Sequence, residues 1–172
     1  MDLKSWNYYL EELVGAVEKR RPVDPSQDSQ FIDVKGLIKQ QNTLDPQLWE
    51  NEKLKPEIVD RLVKIARKFF KSLDIGSIAM IKDITLTGSL AAHNYSRFSD
   101  VDLHILLDFN QFENPEIIKD LVRNAASNWN NKHDIKMKGY EVEMYVQDAN
   151  ERHHSLGVYS LLNNRFLKTP QK

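Results

Sequence analysis

The sequence predicts an α+β domain, and three observations predict it. Two stretches carry apolar residues at helical spacing, at 58–73 and 117–129. They alternate with strand-like runs at 83–87, 100–107 and 140–146, which gives the order helix, strand, strand, helix, strand. The chain has 172 residues, 41% hydrophobic and 28% charged, which is enough to bury a core without covalent staples. The domain division expected is an N-terminal helical extension over 1–55 and a core domain over 56–172.

Composition also excludes several classes. No apolar run approaches the ~18 residues of a membrane span, so no membrane partner is expected. Met1 to Asn7 lacks the apolar segment of a signal peptide. Without cysteine there are no disulfides and no cysteine-ligated zinc, and a reducing, cytoplasmic compartment is the expectation. A net charge of −1 supplies no global field toward nucleic acid.

Leu3, Trp6, Tyr9, Leu10, Leu13, Val14 and Val17 predict a helix over Asp2 to Arg20, capped by Asp2 and closed by Lys19, Arg20 and Arg21 where cations suit the dipole. Its aromatic stripe reads as packing. Pro22 begins a loop, Phe31 to Gln40 forms a second short helix, and Asn42 to Trp49 a turn leading into a single helical turn. Pro56 suits a first helical position, and Ile58, Leu62, Ile65, Ala66, Phe69 and Leu73 form one stripe. The opposite face carries Arg61, Lys64, Arg67, Lys68 and Lys71, read as a solvated surface, with electrostatic guidance of a triphosphate or nucleic acid as the functional alternative. Asn114 is placed to cap the second core helix, in which Pro115 is followed by Ile117, Ile118, Leu121, Val122, Ala125 and Trp129.

The candidate chemistry lies between Asp83 and Phe109. A strand stops at Gly88-Ser89, a polar crossing follows, and a second strand begins at Asp100 with Asp102 two residues on. Side chains alternate along a strand, so both carboxylates share one face while Val101, Leu103, Ile105 and Leu107 share the other. Unit charges about 4 Å apart repel by roughly 4 kcal/mol at an effective dielectric near 20, a cost that a cation offsets. Hard oxygen ligands favour Mg2+ or Mn2+. Gly88 permits close backbone approach to a phosphate, and Ser89 adds a hydroxyl and an amide donor. Together these read as a site for a metal-bound nucleoside triphosphate such as ATP. In the crossing, Arg97 is placed to pair with phosphate, Tyr95 to stack on a base and Ser99 to position the strand start, each against an equal structural reading. His104 shares the acidic face but reads as a structural histidine.

Gly88-Ser89 followed by Asp100-Val101-Asp102-Leu103 resembles the polymerase-beta-type nucleotidyltransferase superfamily, whose pattern is a hydrophobic-Gly-Ser step and then Asp-hydrophobic-Asp. That family's third acid lies on a later strand between hydrophobic neighbours. Glu143, between Val142 and Met144, fits it, and Glu141 on the same face is the fallback. The resemblance implies a small mixed β-sheet with helices packed on one face. It also implies that Asp100, Asp102 and Glu143 are the catalytic and metal-binding acids, while Gly88 and Ser89 hold the phosphates; Arg97 and Ser99, read from the crossing itself, are added as nucleotide-binding candidates. The activity implied is transfer of a nucleoside monophosphate to a hydroxyl with release of pyrophosphate. From Leu44 onward, including Leu44 to Trp49, Tyr145 to Asp148 and the tail His154 to Phe166, the chain is similar to small predicted nucleotidyltransferases of large tailed bacteriophages. In that tail, Tyr159, Asn163 and Arg165 are candidates to line a nucleotide pocket, and a hairpin or helix closing the sheet edge is the structural alternative.

The acceptor is open among a small molecule, a protein and an RNA end. The little chain outside the core weighs toward a small or protein acceptor. Two competitors remain: a non-catalytic, antitoxin-like binding module of the same fold, and a structural protein whose aspartates face water.

Overall fold

A computed structural model of the chain describes residues 40–76 and 79–171. The helix expected over Asp2 to Arg20, and Phe31 to Gln40 apart from its last residue, lie outside the described residues.

After a turn in which Asp45 accepts from the Gln47 amide at 2.8 Å, a two-residue ribbon forms from β1 (Trp49–Glu50) and β2 (Lys53–Leu54). Its loop residues Asn51 and Glu52 both have positive φ, 49° and 61°, which matches the right-handed twist of a tight hairpin. Helix α1 (Pro56–Ser72) then begins with proline at its first position, where the missing N–H costs nothing. Ile58, Leu62, Ala66 and Phe69 are its buried stripe, and the basic residues opposite are exposed.

Strands β3 (Ile81–Thr87) and β4 (Val101–Leu107) pair antiparallel, and helix α2 (Pro115–Lys132) crosses from β4 to β6 (Tyr140–Asp148), which pairs parallel to β4. A parallel pair needs such a crossover, and the helix supplies it. With β5 (Lys136–Met137), β7 (Val158–Ser160) and β8 (Arg165–Lys168), the sheet order is β5-β6-β4-β3-β7-β8. The sheet is therefore mixed, as the resemblance implied. Asn114 occupies the N-cap position of α2, but its side chain makes no capping bond, contrary to the sequence expectation.

Val101, Leu103, Ile105, Leu107, Val142, Met144 and Val146 are buried in one cluster with the apolar stripes of α1 and α2. At roughly 1.5–3 kcal/mol per fully buried large side chain, this face holds the sheet and helices together. The tail forms the hairpin β7–β8. Tyr159 packs edge-on against Trp49 and Phe166 at 4.9 and 5.0 Å, and Trp49 stacks on Phe166 at 5.1 Å. Leu44, Leu48, Trp49 and Leu54 thus pack into the core, although the sequence had assigned them to the extension. A two-residue strand is too short to show periodicity. No helix among the described residues is long and apolar enough to cross a membrane.

Candidate active site

The polar face of the sheet is set by strand register. Parallel pairing places Asp102 beside Glu143 and His104 beside Tyr145, while antiparallel pairing places Thr87 on the other flank of Asp102. Asp100, immediately before β4, stands two residues from Asp102 on the same side. The result is a cluster in which Asp100, Asp102 and Glu143 each offer an oxygen within 4.8 Å of the others. All three are half-buried.

Among the described residues, no cationic side chain pairs with this concentration of charge: ion pairs involve Lys119 and Lys136 only, and neither reaches the three acids. Burial, followed by repulsion from Asp100 and Glu143, pushes the Asp102 carboxyl up to about 6. Three converging carboxylate oxygens without a cation are the donor chemistry of a hard divalent ion, so the residues fit magnesium or manganese.

Gly88 ends β3 with φ 73°, and a Cβ there would stand 1.8 Å from Asp102 Oδ2. The position requires glycine twice over, for its left-handed backbone and for the closeness of the carboxylate. A 3-10 turn, Ser89–Ala91, follows directly. The Ser89 hydroxyl donates to Ser99 Oγ at 2.6 Å, and Ser99 Oγ also accepts from the Ser96 amide at 2.9 Å. The two serines thereby tie the start of the crossing to its end, next to Asp100. Arg97 is exposed, its guanidinium 4.5 Å from the centre of the exposed Phe98 ring, and it makes no ion pair with the acids. Tyr95 packs against the core.

Glu141 is exposed, sits opposite Lys136 and takes no part in the cluster. Tyr145, to which sequence reading gave no role, supports Glu143. The Tyr145 hydroxyl donates to Glu143 Oε2, and the Tyr145 ring stacks on His104 at 4.9 Å. His104 Nδ1 lies 3.1 Å from Gln147 Oε1. Burial lowers the His104 pKa to about 4, so its ring is neutral near pH 7. Burial, then the bond to Glu143, raises the Tyr145 pKa. Alternation was the available signal, since Tyr145 is two residues from Glu143 on one strand.

The tail candidates lie elsewhere. Tyr159 is buried and donates to Asn164 Oδ1 at 2.6 Å, and Asn163 Nδ2 lies 2.9 Å from Ser160 Oγ and 3.4 Å from Asp83 Oδ2. Arg165 is exposed on β8. These contacts fasten the hairpin to β3.

A family model described as a nucleotidyltransferase domain matches residues 63–166, more than half of the chain. The chain belongs to that family. No curated protein and no solved structure matches it. The matched part of this nucleotidyltransferase domain begins inside α1 and contains the Gly88-Ser89 step, the crossing, β4, α2, β6 and most of the tail hairpin. Its general chemistry is nucleotidyl transfer, and its substrate a nucleotide.

Proposed function

We propose that the protein is a metal-dependent nucleotidyltransferase that moves a nucleoside monophosphate from a nucleoside triphosphate to a hydroxyl acceptor and releases pyrophosphate. The convergence of Asp100, Asp102 and Glu143, with no ion pair to them among the described residues, carries this reading. The three acids would hold Mg2+ or Mn2+, which when bound supplies charge neutralisation for the triphosphate and acidifies an acceptor hydroxyl. Gly88 leaves room beside Asp102, and the Ser89–Ser99 pair keeps the phosphate-side loop closed on the strand ends. Tyr145 orients Glu143 through its hydrogen bond. Arg97, exposed on the crossing, is free to swing to a phosphate.

A cytoplasmic setting and kinship with the small bacteriophage nucleotidyltransferases belong to the same proposal and add no chemistry to it. The test is a thermal melt of wild type and Asp102→Asn, with and without magnesium, in ATP, GTP, CTP and UTP separately. A nucleotide at about 100 times its dissociation constant stabilises by ~2.7 kcal/mol, or roughly 5 to 11 °C for a domain of this size. The expected result is a magnesium-dependent shift in wild type that is absent from Asp102→Asn. A shift of equal size in both proteins would contradict the assignment.

A further inference from the structure

A cleft of about 570 Å³ is lined by residues of β6 and α2 and by His104 of β4. His104, Tyr145 and Gln147 from the sheet, Ser127 and Asn131 from α2, and Glu143 are among its lining residues. The mechanism so far uses none of the α2 side chains. From this cleft we infer that the acceptor is a small, multiply hydroxylated molecule without net negative charge, bound here beside Glu143. The inference rests on the nucleotidyltransferase reading above and names its second substrate.

Three observations select this class. The first is size and lining. The cleft lies within the ~300–1,000 Å³ range of small-molecule sites, and its hydroxyl, amide and imidazole groups both donate and accept, as the hydroxyls of a polyol do. Gln147 spends its carbonyl on His104 and retains its amide donors, while the 37% exposed Tyr145 ring offers an apolar face to the C–H side of such a ligand.

The second is charge. A companion cleft of about 360 Å³ on the other side of Asn130 is lined by Asp134, Glu141 and Glu143. The acceptor cleft itself carries one carboxylate, Glu143, and one guanidinium, Arg123, and in the companion cleft Asp134 is paired with Lys136. A nucleic-acid end depends on neutralising several phosphates with Lys and Arg, and this lining has no surplus of cations to do so.

The third is the strand edge. Beyond the short β5, the outer edge of β6 is where an extended peptide would pair. The Asn130 side chain already occupies it, donating from Nδ2 to Met144 O at 3.0 Å and accepting from Met144 N at 2.9 Å. That amide caps the edge against strand addition, which disfavours an extended protein segment.

In the transfer, an acceptor oxygen–α-phosphorus bond forms as the bond from α-phosphorus to the bridging oxygen breaks. Pyrophosphate departs, and the hydroxyl proton passes to solvent. The experiment incubates wild-type protein with magnesium and labelled ATP in high concentrations of glycerol, glucose or myo-inositol. Parallel reactions contain a short RNA with a free 3′ hydroxyl or a serine- and threonine-containing peptide, and label is followed into each acceptor. Label is expected on at least one polyol and not on RNA or peptide. Ser127→Trp, an exposed α2 position that narrows the cleft, should cut that label by roughly tenfold or more. If Ser127→Trp fails to fold, Asn131→Trp serves the same purpose. Preferential labelling of RNA or peptide overturns the inference, as does undiminished polyol labelling in a folded cleft variant, or no polyol labelling by a protein that shows the magnesium–ATP melting shift. Absence of that shift would instead remove the underlying nucleotidyltransferase reading, and the inference with it.

Discussion

Strands β4 and β6 carry acidic clusters at both ends, and the protein treats the two ends differently. At one end Asp102 pairs in register with Glu143, with Asp100 beside them and no ion pair to the three among the described residues. At the other end Leu107 pairs with Asp148, close to Asp108. There Lys119 lies 3.9 Å from Asp148, 3.2 Å from Glu116 and 3.4 Å from Glu151, and Asn150 Nδ2 donates to Asp108 and Asp148 at 3.0 Å each. One end is a closed network of satisfied groups; the other retains its repulsion. The difference teaches which acids are structural, because buried carboxylates that only support a fold are found with their partners.

The largest expected effect separates the ends by activity. Glu143→Gln should lower the rate of pyrophosphate release by about 10²-fold or more, the scale of removing an electrostatic group from a preorganised site. Lys119→Met should leave that rate intact and lower the melting temperature. Glu141→Gln should spare activity, and a ranking with Glu141→Gln the more damaged would move the third acid to Glu141.

Next comes Gly88→Ala. A methyl group 1.8 Å from Asp102 Oδ2, on backbone with φ 73°, must push the carboxylate aside, so stability should fall by about 1–3 kcal/mol and activity with it. Denaturant unfolding and pyrophosphate release measure the two losses.

A pH effect should follow at the open end only. The Asp102 carboxyl binds its proton more tightly folded than unfolded, since its pKa rises from 3.8 to about 6. The folded state therefore holds more protons between these values, and metal-free stability should fall as pH rises from about 4 to 6, then level off. The change should be on the order of 1–2 kcal/mol in chelator, and Asp102→Asn should flatten that part of the curve. A metal-free curve that rises through this window in the wild type, or one unchanged in the variant, would contradict the electrostatic account.

The smallest effect belongs to Tyr145→Phe, which removes the hydroxyl bonded to Glu143 and keeps the ring on His104. One hydrogen bond to a charged group is worth ~1.5–3 kcal/mol, less where solvent replaces it, so a loss of several-fold in kcat with little change in the nucleotide KM is expected from steady-state kinetics.

Much of the open end was legible from sequence. Alternation placed Asp100 and Asp102 on one face, and the glycine before them marked a backbone position other residues resist. Proline and a 3.6-residue period located both described helices. Less was legible where pairing partners decide the outcome. Nothing local reveals that β6 runs parallel to β4 with Glu143 opposite Asp102, and strands of two residues, such as β1, β2 and β5, carry no periodicity. The tail read as undecided because Tyr159 is a packing residue only in the presence of Phe166 across the hairpin and of Trp49, 110 residues away in sequence. Asn130, within a polar run, takes its role from a strand edge that exists only in the folded sheet.

The contrast between the two ends is tested most directly by titrating Mn2+ into wild type, Asp102→Asn and Asp148→Asn and measuring bound metal calorimetrically. Wild type and Asp148→Asn should bind the ion alike, and Asp102→Asn should lose it. Equal binding in Asp102→Asn, or loss in Asp148→Asn, would place the cation at the wrong end of the strands and contradict the account.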